Sequence, residues 1–586
     1  MKDFLKYMLA CFCALFLVNV LLTVVFVITL IGAAFSGSGA QKVSPNSVYQ
    51  IDLKGVLEER ASEDPMASVQ SAMMGKESES VLGLNDLLDN IRKAKANDNI
   101  KGIYLHGGEL SGGLASMREV RNALLDFKSA GKFIYAYADQ YGQANYYLAS
   151  VADSLFINPY GELAWHGMSY VSSFYKTLAD NLGIDVQIFR VGTYKSAVEP
   201  FMLTGMSEAN KEQTKVMIDG LWSLICRETA EARGIAVDSL NAYADLDMDF
   251  AAPEEYLRRG FADKLLYEQD MDSVLAHAVG DKDFKVLTHS KMCNVEAKKK
   301  TSDNKIAVFY AYGDIVDSGT SGIVGEDVVE ELRKVADDKD IKAVVLRVNS
   351  PGGSAFASEQ IWYAITQLKH QKPLVVSMGD YAASGGYYIS CAADSIFAQP
   401  STLTGSIGIF GLIPNFKRLM DRIGITHDGV KTHQFSDLQE RLAVGTPDDA
   451  VREQVQQSVN RGYDQFTRRC ADGRGLTQDS IFAIASGRVW TGEDALRIGL
   501  VDKLGYLDDA IKSAAALAGI EEYEVKECPA EKTWQEKLMK QLDLESVMMR
   551  RMEGRLSPQY RQMIDVLTHT ERYSGVQARM EGVVNF

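Results

Sequence analysis

The sequence predicts an α/β fold in which two tandem βαβ repeats follow a single N-terminal transmembrane helix. Three observations support this: an uncharged apolar stretch at the N-terminus, an internal duplication, and alternating strand and helix signals within each copy. Strands separated by helices are typical of a parallel sheet covered on both faces. The composition, 46% hydrophobic and 24% charged, is that of a globular protein.

Residues 1–40 predict a membrane anchor and a short tether. After Lys2 and Lys6, an apolar run from Tyr7 to Phe35 carries no charge. A helix needs about 20 apolar residues to cross a bilayer, whereas the apolar core of a cleavable signal peptide has about 7–15. The run therefore favours an uncleaved anchor, with both lysines in the cytoplasm and the rest of the chain on the far side.

A duplication divides the remainder of the chain. A shift of 241 residues, which carries Gly112 to Gly353, also aligns Tyr146-Tyr147 with Tyr387-Tyr388. One register that holds over many positions indicates two copies of one fold. The predicted boundaries are an N-terminal repeat at 41–294, a polar linker at 295–305, a C-terminal repeat at 306–527 and a C-terminal helical segment at 528–586. In that last segment the spacing of Trp534, Leu538, Leu542 and Met548 indicates an amphipathic helix.

Two turns in the second copy lie between a strand and the next helix, which is where active sites usually lie in α/β sheets. The first is NSPGGS (349–354), whose paired glycines let the backbone approach a ligand closely. An ordinary tight turn between a strand and a helix would show the same sequence pattern. The second is DYAASGGYY (380–388), which places Ser384 at the start of a helix. This serine is either a helix cap or a nucleophile beside helix N–H groups that stabilise an oxyanion.

A serine nucleophile needs a base. His433 is the nearest histidine candidate in the second copy, whereas the comparable segment of the first copy contains Lys195. The 241-residue shift places Lys195 on Ser436 and Ser384 on Gln143, so each copy holds half of a possible site. A lysine base must be neutral, which burial favours. The hypothesis requires Lys195 Nζ to lie within about 3.2 Å of Ser384 Oγ, directly or through one water.

These motifs resemble the double-length form of the signal peptide peptidase A family, membrane-anchored serine proteases of bacteria. The resemblance rests on the anchor together with GTYKSAVEPF (192–201), NSPGGS, AASGGYY (382–388) and LTGSIGI (403–409). It implies a crotonase/ClpP-like fold for each repeat and a Ser–Lys dyad. The implied site residues are Ser384 as nucleophile, Lys195 as general base, Ser406 as the lysine-orienting residue, and the backbone N–H groups of Gly353 and Gly385 as the oxyanion hole.

The resemblance also implies a homotetramer in the bacterial inner membrane, with its catalytic body on the periplasmic side and remnant signal peptides as substrates. We expect a substrate peptide to lie beside Gly408 and Ile409 and to add a strand to an exposed edge. No cofactor or metal is expected, because the seven cysteines and eight histidines are scattered. A net charge of −16 argues against nucleic acid as a partner.

Three alternatives remain open at this point. One is a Ser–His hydrolase of the same fold that uses His433. Another is a crotonase-type acyl-CoA enzyme, because one fold hosts many functions. The third is a membrane scaffold that binds peptides without cleaving them.

Overall fold

A computed structural model describes residues 41–61, 81–246, 248–296, 302–319, 321–530 and 576–580, together with the single positions 7 and 18. Apart from the single positions 7 and 18, the predicted anchor lies outside the described residues, as do the basic part of the linker and the predicted helix near Trp534. Within the described ranges, no helix is both long enough and apolar enough to cross a bilayer.

The strands form three larger sheets and one small one. In chain order they are β1 (Ser47–Asp52), β2 (Gly55–Glu58), β3 (Val81–Gly83), β4 (Ile100–His106), β5 (Leu110–Ser111), β6 (Phe133–Tyr141), β7 (Ser154–Leu163), β8 (Asp185–Arg190), β9 (Lys264–Leu265), β10 (Lys285–Leu287), β11 (Lys305–Tyr312), β12 (Ile315–Val316), β13 (Ile323–Val324), β14 (Ile341–Ser350), β15 (Gly352–Ser354), β16 (Leu374–Ala383), β17 (Ser395–Ala398), β18 (Leu403–Gly405), β19 (Phe410–Asn415), β20 (Val489–Thr491), β21 (Lys503–Leu504), β22 (Glu524–Cys528) and β23 (Val576–Arg579).

The helices connect these strands and cover the sheets. They are α1 (Leu84–Ala96), α2 (Leu114–Lys128), α3 (Gln143–Ala149), α4 (Lys176–Leu182), α5 (Glu199–Met202), α6 (Glu208–Arg233), α7 (Val237–Ala244), α8 (Pro253–Arg258), α9 (Met271–Val279), α10 (His289–Cys293), α11 (Gly325–Asp337), α12 (Ala355–Lys369), α13 (Gly385–Ser390), α14 (Lys417–Ile423), α15 (Leu438–Ala443), α16 (Asp449–Arg474), α17 (Gln478–Ile484), α18 (Gly492–Arg497) and α19 (Leu507–Ala518).

The first repeat is built on a parallel sheet of order β10-β1-β4-β6-β7-β9. Its central strands are apolar over most of their length, and residues such as Ile103 and Leu105 of β4 are buried. Strands of this kind need cover on both faces, which the helices provide. The second repeat repeats this order as β22-β11-β14-β16-β17-β21. Because β22 ends at Cys528, the second sheet extends one residue past the predicted boundary at 527.

The duplication read from the sequence has a direct structural counterpart. Moving the bounds of α2, α4 and α6 by 241 residues gives the bounds of α12, α14 and α16. The two copies therefore share their helices as well as their strand order.

A third sheet joins the repeats. Its order is β13-β12-β15-β23-β19-β8, in which β8 comes from the first repeat and pairs antiparallel with β19 of the second, from Phe410 opposite Arg190 to Asn415 opposite Asp185. The strand β23 lies between β15 and β19. The prediction of a helical segment over 528–586 is therefore wrong for residues 576–579, which form a strand because two strands of the body offer them backbone partners.

Candidate active site

Ser384 occupies the turn between β16 and α13. It is fully buried, and its backbone has φ 55° and ψ −111°, a region that costs energy for a residue with a side chain. Its N–H donates to the Gly405 carbonyl at 2.8 Å, and its side chain does not cap α13. A strained serine at a strand-to-helix turn is typical of a nucleophile rather than of a helix cap.

Lys195 follows β8 and reaches Ser384 from the other repeat. Its Nζ donates to Ser384 Oγ at 2.8 Å, to the Ser406 carbonyl at 3.0 Å and to Ser406 Oγ at 3.1 Å. The lysine is 1% exposed. The first distance lies within the limit of about 3.2 Å that proton transfer requires.

The position of Lys195 depends on contacts on both sides of its backbone. The pairing of β8 with β19 brings the segment in, and Tyr194 N–H donates to the Ser486 carbonyl at 2.9 Å. Gly487 packs directly on the lysine backbone: a Cβ there would lie 2.7 Å from Lys195 Cα. Gln213 Nε2 also donates to the Tyr194 carbonyl at 3.0 Å. Sequence reasoning missed Ser486, Gly487 and Gln213, because nothing local in their segments shows that they contact a lysine.

Ser406 lies where the lysine-orienting role was expected. It follows β18, has φ 48° and is 2% exposed. Its N–H donates to the Arg488 carbonyl at 2.7 Å, which fixes the loop that carries its Oγ and carbonyl. Lys195 Nζ therefore donates to two hydroxyls, of Ser384 and Ser406, and to the Ser406 carbonyl.

The paired glycines of NSPGGS lie beside the start of α13. Gly352 and Gly353 have φ 104° and 152°, in the left-handed region that favours glycine. A Cβ on Gly352 would lie 2.7 Å from Gly385 N and would overlap the Ala578 carbonyl oxygen. A Cβ on Gly385 would lie 3.0 Å from the same oxygen. Of the predicted oxyanion residues, Gly385 thus borders this point, whereas a Cβ on Gly353 would meet the Ile315 backbone instead. The other glycine at this point is Gly352, which the sequence reasoning omitted although it is the first of the pair.

The groove candidates Gly408 and Ile409 border the Ser384–Lys195 pair. The Gly408 carbonyl lies 3.5 Å from Ser384 Oγ, and a Cβ on Gly408 would lie 3.3 Å from Lys195 Cδ. Val191 N–H donates to the Ile409 carbonyl at 3.2 Å. The edge of β19 was expected to be open for a substrate strand, but β23 of the same chain pairs with it there.

A cavity of about 500 Å³ lies between the repeats and is lined by residues of both. Its lining includes the apolar side chains Met168, Leu221, Leu403 and Met580, and also Tyr381. Burial raises the pKa of the Tyr381 phenol to about 12, and the nearby Asp380 adds to the effect, so this hydroxyl stays protonated at neutral pH. The lining also includes the carboxylates of Glu58, Glu59 and Asp380.

The other candidates lie elsewhere. His433 is exposed, with its Nδ1 3.0 Å from Thr432 Oγ1, whereas Ser384 is fully buried. Gln143, the counterpart of Ser384 in the first repeat, accepts from the backbone N–H groups of His166 at 3.0 Å and Gly167 at 3.1 Å. An amide side chain cannot act as a nucleophile, so the position of the first repeat that matches Ser384 holds no nucleophilic side chain.

Family models match both halves of the chain. The model of peptidase family S49 matches residues 126–280 and again residues 366–521, and the model of Clp protease matches residues 315–403. The repeated match agrees with the duplication and with a ClpP-like α/β fold.

Similar proteins are known from bacteria and from a plant. Protease 4 of Salmonella typhi is 36% identical over 505 residues, which are 83% of this chain and 81% of that protein. Protease 4 of Haemophilus influenzae is 34% identical over 84% of this chain and 83% of its own length. The chloroplastic serine protease SPPA of Arabidopsis thaliana is 30% identical over 93% of this chain and 79% of its own length.

Proposed function

Because this chain belongs to peptidase family S49 and is a serine protease, we propose that it cleaves apolar peptides with a Ser–Lys dyad formed across its two repeats. Ser384 is the nucleophile and Lys195 the general base. The observation that carries this proposal is the 2.8 Å hydrogen bond between Lys195 Nζ and Ser384 Oγ in a fully buried setting.

In the proposed mechanism, neutral Lys195 takes the hydroxyl proton of Ser384 as Ser384 Oγ attacks the substrate carbonyl carbon. Desolvation disfavours the ammonium form of a buried amine, which supports the lysine as a base. Lys195 then gives the proton to the leaving amine, and a water activated by the same lysine hydrolyses the acyl-enzyme. Ser406 holds the amine in place through its hydroxyl and carbonyl.

The oxyanion is stabilised by backbone N–H groups of the glycine turn and of the start of α13. Gly353 and Gly385 supply them in this proposal, and the packing of Gly352 against Gly385 supports the arrangement. Such preorganised donors typically contribute about 3–4 kcal/mol to lowering the barrier.

We extend the proposal to the setting of the reaction. Residues 7–35 anchor the chain in the bacterial inner membrane, the catalytic body lies on the periplasmic side, and four copies assemble around their active sites. The substrates are remnant signal peptides. The length and apolar character of residues 7–35 support the anchor. The similarity to proteins named Protease 4 supports the proteolytic role.

The deciding experiment measures cleavage of a fluorogenic apolar peptide by the detergent-solubilised full chain. We expect Lys195→Ala to lower kcat/KM by at least about 10³-fold, because the dyad acts as a unit. His433→Ala is the matched control and should retain full activity, since His433 is exposed. Folding of each variant is checked by its thermal unfolding curve.

Three results would contradict the proposal. Full activity in a folded Lys195→Ala protein would place the base elsewhere, and loss of activity in His433→Ala would favour the Ser–His alternative. Absence of any cleavage by the wild type would favour a peptide-binding scaffold. The serine protease assignment already leaves the acyl-CoA alternative without support.

A further inference from the structure

We propose that Gln213 is a positioning residue of the active site, which fixes the Lys195 amine relative to Ser406. The inference deepens the proposed Ser–Lys function and rests on it. Gln213 lies in the second turn of α6, is 5% exposed, and forms hydrogen bonds with both repeats. Its contacts are with the backbone around Lys195, so its effect on the reaction passes through that residue.

The amide nitrogen of Gln213 holds the segment that carries the lysine. Gln213 Nε2 donates to the Tyr194 carbonyl at 3.0 Å and to Ser196 Oγ at 3.2 Å. These acceptors belong to the residues on either side of Lys195, and the Tyr194 carbonyl is part of the peptide bond that leads into it. Because both neighbours are held, the backbone from which the lysine side chain extends has little freedom, which favours a fixed position of its amine.

The amide oxygen of Gln213 joins this segment to the second repeat. Gln213 Oε1 accepts from the Val489 N–H of β20 at 3.3 Å. In the pairing of β20 with β18, Val489 lies opposite Gly405, which directly precedes Ser406. The Ser406 N–H in turn donates to the Arg488 carbonyl at 2.7 Å. One side chain therefore connects the backbone of the base with the backbone of the serine that orients it.

A chain of buried polar groups sets the orientation of the Gln213 amide. The fully buried Glu199 carboxylate accepts from the Ser207 N–H at 3.1 Å and from Asn210 Nδ2 at 3.1 Å. A carboxylate accepts and does not donate, so Asn210 turns its NH2 group toward Glu199 and its oxygen toward Gln213. Asn210 Oδ1 then accepts from Gln213 Nε2 at 3.2 Å, which leaves Gln213 Oε1 for the N–H of β20.

The internal duplication provides an independent comparison. The 241-residue shift carries Gln213 to Gln454 and Asn210 to Val451, at the same positions of α16. Gln454 is exposed, and a valine side chain cannot form the hydrogen bonds of Asn210. The copy that has the lysine therefore buries and orients this glutamine, whereas the copy without the lysine leaves it in solvent. The network accompanies the base and is not a general requirement of the fold.

The space between Gln213 and Lys195 makes the position sensitive to charge. Both residues line a cavity of about 40 Å³, and no Asp or Glu is among the described residues that line it. A carboxylate at position 213 would therefore place a negative charge beside the lysine, where it favours the ammonium form. The charged groups that the packed elements already bring to this segment are Arg190 of β8, Glu199 of α5, Glu212 of α6, Arg488 beside β20 and Arg579 of β23.

The first test is Gln213→Glu, which keeps the size and shape of the side chain and replaces the donating nitrogen with a carboxylate oxygen. The pH dependence of kcat/KM is measured with the fluorogenic apolar peptide on the detergent-solubilised full chain. We expect the rise of kcat/KM with pH to move upward by about one pH unit, because the base acts only when neutral and a nearby negative charge favours its ammonium form. A profile and rate equal to those of the wild type would overturn the proposal.

The second test is Gln213→Met, which removes the hydrogen bonds without adding a charge. We expect kcat to fall about tenfold with little change in KM and no shift of the pH profile, since the lysine loses its fixed position but keeps its electrostatic surroundings. Gln454→Glu and Gln454→Met are the matched controls in the other copy and should behave as wild type. Thermal unfolding curves check the fold of each variant, and Gln213→Glu decides alone if Gln213→Met does not fold.

Lys195→Ala, assayed alongside, separates the two proposals. A folded Lys195→Ala protein with full activity contradicts the proposed function itself. An inactive Lys195→Ala protein together with an unshifted Gln213→Glu profile contradicts only the positioning role, and any loss of rate in Gln213→Glu is then a consequence of altered folding. A shift of equal size in Gln454→Glu would also refute that role, because a charge on the exposed equivalent position would then act as strongly.

Discussion

At the scale of single residues, the site depends on a lysine amine held between two serines. Lys195 Nζ has one acceptor on Ser384 and two on Ser406, and all three residues are buried. Ser384 and Ser406 both have positive φ, which an ordinary side chain avoids. Backbone strain at two of the three members of one network is what a preorganised catalytic site typically shows.

Ser406→Ala tests the lysine-orienting role. We expect kcat to fall roughly tenfold with little change in KM, because the amine loses one acceptor but keeps the Ser406 carbonyl. The rise of kcat/KM with pH should also move to lower pH, since an acceptor that favours the ammonium form is gone. Ser436→Ala, at the exposed position equivalent to Lys195, is the control. An unchanged pH profile with lowered activity would indicate a structural role only.

At the scale of elements, the site is assembled by one sheet that draws strands from both repeats. Lys195 follows β8, which pairs with β19 of the second repeat, and β15 contains the paired glycines. A site built where strands of two repeats meet can evolve by losing half of its residues in each copy. The amide of Gln143 in the first repeat and the exposed Ser436 in the second fit this history.

Gly353→Ala tests the glycine turn. With φ 152°, an alanine would be strained, and its Cβ would overlap the Ile315 carbonyl oxygen of β12. We expect kcat/KM to fall by about 100-fold or more, because the displaced turn no longer supports the oxyanion. Gly142→Ala is the control in the first repeat, where a Cβ would meet nothing within 4 Å. Activity near wild type in Gly353→Ala would show that this backbone does not support catalysis.

At the scale of the whole molecule, the repeats are held in register by a buried ionic network. Arg347 of the second repeat, 1% exposed, donates to Glu59 at 3.0 Å and to Glu119 at 2.7 Å, both from the first repeat. Burial lowers the pKa of the Arg347 guanidinium, but the two carboxylates more than offset this, so the net pKa is raised. Ser116 of the first repeat adds a hydrogen bond from an uncharged donor, since its Oγ donates to Asp380 of the second repeat at 2.5 Å.

Arg347→Ala tests this network. We expect a loss of about 3–5 kcal/mol in the free energy of unfolding, because two buried carboxylates are left without their partner. Arg468→Ala removes an exposed ion pair with Asp464 and should cost no more than about 1 kcal/mol. Thermal unfolding curves of the two variants give the comparison. Equal melting temperatures would mean that the network does not stabilise the contact between the repeats.

Much of this architecture could be predicted from the sequence alone, because its signals are local or periodic. Apolar strand segments, helix faces and a single 241-residue register depend only on residue order, and they predicted two α/β repeats. The opposite losses of serine and lysine in the two copies predicted which side chains share the site. In the structure Lys195 Nζ lies 2.8 Å from Ser384 Oγ, within the limit of about 3.2 Å, although 189 positions separate the two residues in the sequence.

Other features were decided only by tertiary structure. The contacts of Gly487 and Gln213 with the segment around Lys195 join residues far apart in the chain, and no local pattern indicates them. The strand β23 was predicted as part of a helical segment, because residues 576–580 carry no strand signal of their own. The conformation of β23 comes from β15 and β19, whose backbone groups pair with it through main-chain hydrogen bonds. Because main-chain pairing does not depend on side chains, it requires little of the sequence of β23 beyond a small residue at position 578, where Ala578 stands.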